Sequence, residues 1–464
     1  MGVAAVVALT VFGRTNVQAQ STVSANSGDW SDPLNWTAGV PVADTWAAIN
    51  SDHTINATPG AIAGLFDVGA TGPGNLTVAA GADLTVAAFR VGQAGGAVGN
   101  FTMTGGSVSA LGGGIDGPFL QGDILIGDAG TGTWTINDGT LKSEDEFLLG
   151  FINGGKGTLN VGGGTVSVGR SLVVGVLNSG QGALNMSGGE INIYRDFLNS
   201  LSNATSSILT QSGGTINVGQ HLIHGLKGPA TYTQTGGAVN VNGANSRLTV
   251  AEDHTSASWD LQGGSITSTH IFLGDFDSSH GTMTVSGGSI HLRGNFSVGG
   301  ALASNAPPAP TGTQGQALDA DGTLIITGPD GAINIDGNLL ANPSDNSRYG
   351  GGGEHNDSLL VFNATSGGVS TINVGGIANL NGAVIDINLL SALPLGSTFD
   401  LIKAASISAD FVQPAEDLGV FQLSIFDSGN GQTLRATVVP EPTSAVMIVM
   451  GIVGFWGSRR ARGC

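Results

Sequence analysis

A glycine pair, or a close variant of one, returns about every 25 residues through the middle of the chain, and this period limits the fold more than any other feature. The second position of the pair falls at Ala82, Gly106, Gly139, Gly164, Gly189, Gly214, Gly237, Gly264 and Gly288. The one long step, from Gly106 to Gly139, carries an insertion around Gly112–Gln121. A unit this short is too small for a propeller blade, which needs roughly 40–45 residues. It also lacks the helical pattern of leucine-rich repeats. Glycine numbers 78 of 464 residues without proline at every third position, so collagen is excluded. With 40% hydrophobic residues the chain has enough apolar surface to build a core, which disfavours disorder.

Within each unit the pattern has period two. In residues 157–175, Leu159 and Val161 alternate with polar residues, as do Val166 and Val168. The run Leu172-Val173-Val174 follows a second corner at Gly169-Arg170. Three short strands separated by glycine corners predict one turn of a right-handed, three-sided parallel β-helix, an all-β solenoid with end caps. Stacked turns place equivalent residues about 4.8 Å apart. The expected inward columns include Trp134, Leu159, Leu184, Leu209, Tyr232 and Trp259 on the first face. On the second they include Val166, Ile191, Ile216, Val239 and Ile290. Gln211 and Gln234 interrupt the apolar column one turn apart and are expected to satisfy each other as an internal amide pair. His224 aligns with inward valines and reads as a satisfied core histidine. Asn160 with Asn185, and Asn192 with Asn217 and Asn240, form outward ladders. These either support the stack or present a hydrogen-bonding face to a glycan.

The third strand is apolar on both sides. Leu125, Leu148, Val173, Leu198, Ile223 and Phe272 should point outward, making an apolar stripe that needs a cover. Segment 301–321, the C-terminal region or a second copy of the chain could supply it.

The expected organisation is a signal peptide over 1–19, an N-terminal cap over 20–60 and repeats over 61–300. A Pro-rich linker or loop follows over 301–321, further turns over 322–390, a β cap over 391–438 and a terminal segment over 439–464. Residues 2–12 form an apolar run with Val17-Gln18-Ala19 as a small-x-small cleavage site. No Lys or Arg precedes that run, and a buried N-terminal strand is the other reading. Trp30 and Trp36 are placed to cover the open end of the solenoid, with carbohydrate stacking as the alternative. The segment that holds them, with Gly28-Asp29-Trp30 and Asn35-Trp36, resembles the opening of secreted β-helical proteins of the autotransporter-like kind.

At the far end, Pro440-Glu441-Pro442 is followed by the run AVMIVMGIVGFWG and then by Arg459, Arg460 and Arg462. This order resembles the PEP-CTERM sorting signal in all three parts: motif, short hydrophobic helix and basic cluster. The run is shorter than the roughly 20 residues a span needs. The arginines behind it would stay on the cytoplasmic side. The resemblance implies export to the cell envelope, outer surface or medium, and a membrane sorting transpeptidase as partner. A permanent membrane anchor is the alternative reading of the tail.

The charge balance of 34 acidic to 15 basic residues gives −19, which repels a phosphate backbone and excludes nucleic acid as a natural partner. The only cysteine is Cys464, so no disulfide within the chain or thiolate metal cluster is expected. The sequence contains no Gly-x-Ser-x-Gly, His-Glu-x-x-His or Walker loop, and no cofactor is expected. Glu144-Asp145-Glu146 is confined to one corner. Glu252 and Asp253, with His254, lie one turn before Asp275, Asp277 and His280, which makes them the best candidates for a metal or catalytic patch, but ordinary loop polarity explains them more simply, and neither a catalytic nor a metal site is expected. The expectation is an exported, non-catalytic surface or matrix protein, structural or adhesive, with extracellular glycans or self-association as further partners. The alternative is a β-helical polysaccharide lyase or glycoside hydrolase, which would gather carboxylates on neighbouring turns of one face.

Overall fold

The computed structural model describes residues 21–112, 122–202, 205–275, 278–300, 320–341, 358–408, 410–411 and 420–439. The signal-peptide segment 1–19, the sorting motif Pro440, Glu441 and Pro442, its hydrophobic helix, and the basic residues Arg459, Arg460 and Arg462 lie outside the described residues. So do Asp277 and nearly all of segment 301–321.

The period-two runs become strands, and each strand pairs in parallel with its equivalent one turn away. On the first face Leu159 is in register with Leu184, which is in register with Leu209. Val166, Ile191 and Ile216 align on the second face. Leu172, Phe197 and Leu222 align on the third. The result is an all-β parallel solenoid of about 14 turns. In the first turns the chain passes some corners without a break, as in the long strands Val98–Ala110 and Thr131–Ser143.

The two residues of the glycine pair are required for different reasons. Gly214 has φ +70, a left-handed conformation that side chains disfavour. Gly213 lies outside the left-handed region, but a Cβ there would run into the Ser187 carbonyl oxygen of the preceding turn. One glycine makes the corner and the other lets the turns stack closely.

The inward columns fill the interior. Each fully buried large apolar side chain contributes about 1.5–3 kcal/mol relative to exposure. At the N-terminal end the core is aromatic: Trp30 packs on Phe66 at 5.0 Å, Phe66 on Phe89 at 5.2 Å, and Phe89 on Trp134 at 4.9 Å between ring centroids. Trp36 meets Trp30 edge-on and donates its indole N–H to the Trp30 carbonyl at 2.8 Å. Both tryptophans are buried, so their rings belong to the end of the core and are not open to a sugar.

Strand His280–Val285 stacks directly under Asp321–Thr327, which stacks under Ser358–Ala364. The first-face stack therefore continues in register from His280–Val285 through to Ser358–Ala364. At the C-terminal end the direction changes: Thr398–Ala404 pairs antiparallel with Gln432–Val438, which pairs antiparallel with Phe421–Asp427.

Two expectations need correction. The buried glutamines do not pair with each other. Gln211 donates to the carbonyls of Gly214 and Ala238 and accepts the Tyr232 hydroxyl at 2.7 Å. Gln234 donates to the carbonyls of Gly237 and Ser265. Each amide is drawn to the corner beside it, where the Gly214 and Gly237 carbonyls already accept a backbone N–H from the next turn and use their second lone pair on the glutamine.

The apolar stripe points outward as expected, yet its six residues are buried. Much of its cover comes from within the repeat. Val176 and Leu226, with the partly buried Phe151, Leu177 and Leu201, sit in the corner after each third strand and pack onto Leu125, Leu148, Val173, Leu198 and Ile223. These residues make a second, smaller core outside the solenoid wall.

Candidate functional site

The third face brings together two of the carboxylates singled out in the sequence. Arg247 is in register with His270 and lies on the outer side of its strand, two residues before Thr249. Its guanidinium reaches Asp275 through Nη1 at 2.5 Å and Glu252 through Nη2 at 2.9 Å. All three side chains are buried. The cation between Glu252 and Asp275 is therefore arginine. Asp253 turns away to Lys227 at 3.5 Å and His254 at 2.5 Å, and His280 meets Asp321 at 2.8 Å. Among the described residues, no group of three or more His, Cys, Asp or Glu is arranged to hold a metal ion.

Two carboxylates share one guanidinium, and burial decides their protonation. It pushes the Glu252 carboxyl up to about 7, against the pull of Arg247. Asp275 is raised for the same reason. Glu252 Oε2 and Asp275 Oδ1 are buried without a hydrogen-bond partner among the described residues, which favours the protonated form further. A similar arrangement stands at the other end of the outer apolar core. Arg90 reaches Asp67 at 2.6 Å and Asp128 at 3.9 Å, and Asp67 accepts the Trp46 indole N–H. Both clusters continue the apolar stripe with paired charge. Arg90 and Arg247 escaped the sequence reading because they occupy outward positions, where a lone basic residue reads as solvated.

His224 is buried among Tyr232 and Trp259. Asn199 donates to its Nδ1, so Nε2 carries the proton and donates to the Ser258 carbonyl at 3.1 Å. Burial pushes this imidazole down to about 4. It is a satisfied core histidine, as its position among the valines implied.

The second face is polar and open. Asn217 donates to Asn192 at 2.8 Å and Asn240 donates to Asn217 at 3.0 Å. Further along the same face Asn373 donates to Asn334 at 3.1 Å. The first face carries its own rung, Asn185 to Asn160 at 2.9 Å. The ladders expected from sequence are thus present.

Two open grooves lie over the second-face ladder. One, of about 520 Å³, spans Lys142 to Asn242 and includes Asn192, Asn217 and Tyr194. The other, of about 760 Å³, spans Asn334 to the hairpin at 428–433 and includes Asn373, Lys403, Phe426 and Arg435. Tyr194 is 74% exposed. It follows the strand Glu190–Ile193 at the position that Gly169 and Gly219 occupy in the neighbouring turns, so its ring stands without side chains on either flank. In the second groove Arg435 stacks over Phe426 at 4.4 Å and binds Asp400 at 2.6 Å, beside Lys403 at 3.1 Å from the same carboxylate. Glu144, Asp145 and Glu146 are spread over Lys142 and Arg170 at 3.4–3.5 Å.

Among the described residues no helix is long and apolar enough to cross a membrane. Compared with known protein families, with curated proteins and with solved structures, the chain matches none, so a functional reading must come from its own geometry.

Proposed function

We propose that this is an exported, non-catalytic surface or matrix protein whose solenoid serves as a rigid displayed body, and whose PEP-CTERM-like tail is read by a membrane sorting transpeptidase. The observation that carries the reading is the disposition of polar groups. The outward ladders run on through successive turns, while Glu252 and Asp275, carboxylates from adjacent turns, are neutralised by the buried Arg247. A glycosidase needs two carboxyl groups facing a substrate across open space. Continuous rungs instead favour a stiff rod that resists unwinding.

The test is to follow body and tail separately in cells, with one antibody against the repeats and one against 443–464. The body is expected in the envelope or medium without the tail epitope. Replacing Pro440, Glu441 and Pro442 with alanine should retain the tail on the body. Recovery of the wild-type body from the cytoplasm would overturn the proposal.

A further inference from the structure

We infer that the second face is a binding track for a neutral, hydroxyl-rich polysaccharide lying along the solenoid axis. Both grooves described above open on this one face, and each has an asparagine ladder in its floor and one aromatic ring at its side. The ladder leaves chemistry unused. Asn192 accepts from Asn217 and Asn240 donates to Asn217, so each of these two outer amides spends one group on the ladder and keeps the rest. The middle rung, Asn217, spends both N–H groups, one on Asn192 and one on Glu190 at 2.9 Å, while Asn192 and Asn240 are half-buried and keep capacity at the surface. Donors and acceptors left on these rungs, spaced by multiples of about 4.8 Å, complement the paired hydroxyls of a sugar chain better than they complement any apolar partner.

Tyr194 supplies the apolar part. Its neighbours in the column are glycines, so a flat ring can approach it from along the axis. An exposed aromatic ring beside hydrogen-bonding side chains is a platform with an apolar body and a polar rim. Charge selects a neutral chain over an acidic one. The cations that line the grooves are each engaged by a carboxylate: Lys142 by Glu144, and Lys403 and Arg435 by Asp400. The molecule as a whole carries −19, which repels polyanions.

The inference deepens the reading of a displayed body by naming what the body meets, and it rests on that reading only for access to extracellular polymer. The test is native affinity electrophoresis of the full chain in gels containing galactomannan, xyloglucan or alginate. Retardation is expected in at least one neutral polymer and not in alginate. Tyr194→Ala should weaken that retardation about tenfold, while Ile208→Ala, an exposed residue of the first face, should leave it unchanged. Unchanged circular dichroism of Tyr194→Ala would separate binding from folding. No retardation in either neutral polymer, equal retardation in alginate, or an unaffected Tyr194→Ala would each overturn the inference. So would a loss of self-association in Tyr194→Ala without any polymer effect, which would make this face a contact between copies. Failure here leaves export untouched, and recovery of the body from the cytoplasm would leave the binding measurement standing.

Discussion

Gly214 shows how narrowly a single residue is specified in a stacked turn. Its φ of +70 disfavours any side chain, and an added Cβ would lie 2.7 Å from the Gly188 carbonyl oxygen of the turn before. Gly214→Ala should therefore cost about 1–3 kcal/mol. Gly95→Ala, where nothing lies within 4 Å of the added carbon, should be nearly neutral. Comparison of thermal midpoints by circular dichroism checks both. His224 makes a second prediction at the same scale. Its pKa is lowered from 6.5 to about 4, so the unfolded chain takes up a proton first on acidification. Its contribution is fully present above pH 6.5 and is lost as pH falls towards 4, on the order of 3 kcal/mol in all. His221, also lowered to about 4 by burial first and then by Arg247 and Arg195, acts in the same direction. Thermal midpoints measured between pH 7 and pH 4.5 should fall for the wild type and fall less steeply for His224→Gln. Parallel slopes would show that the buried imidazole is not the group being charged.

At the scale of the strand and its corner, the sequence was legible where a period existed. Strands such as Gln181–Met186 and Glu190–Ile193 alternate strictly, and a one-residue slip would turn the whole set out of the core. Corner residues have no such period. Nothing in the sequence told whether Phe151, Val176, Leu201 and Leu226 faced solvent or folded back over the third strand, so the cover of the stripe could not be read. The glutamines failed for a related reason: their acceptors are main-chain carbonyls, three residues on and in the next turn, which sequence does not display. Tyr194 carried a readable signal, a large ring replacing glycine in one column. The Arg247 cluster gives the prediction at this scale. The folded Glu252 carboxyl is raised from 4.5 to about 7. Its stabilising contribution is thus complete below pH 4.5 and is lost as pH rises through 7, opposite in sign to that of His224. Glu252→Gln should gain on the wild type in thermal midpoint between pH 5 and pH 8. Arg247→Leu should cost about 3–5 kcal/mol at neutral pH, because it leaves two buried carboxyls without their cation. A Glu252→Gln offset that does not change with pH would remove the carboxyl from the titration.

Across the whole molecule, stability is close to a sum over turns and their interfaces, so the two ends matter more than any interior turn. Each end of a parallel stack offers unpaired main-chain groups and an open core to another copy. The N-terminal end is closed by side chains, with Trp30 and Trp36 over Phe66. The C-terminal end is closed by backbone: Gln432–Val438 satisfies the edge of Thr398–Ala404 in reversed direction, and Leu434 and Ala436 are buried with Leu401 and Ile402. A reversed strand cannot be continued by another parallel turn in register, which makes the hairpin a stop as well as a cover. A chain ending at residue 408 lacks that hairpin and exposes the parallel edge together with Leu401 and Ile402. Light scattering should find it forming concentration-dependent dimers through the exposed C-terminal edges, because the N-terminal end stays closed and offers no second surface for a longer stack. A chain ending at residue 439 keeps the hairpin and should remain of one size over the same range. If both behave alike, the stop must lie in the solenoid turns themselves.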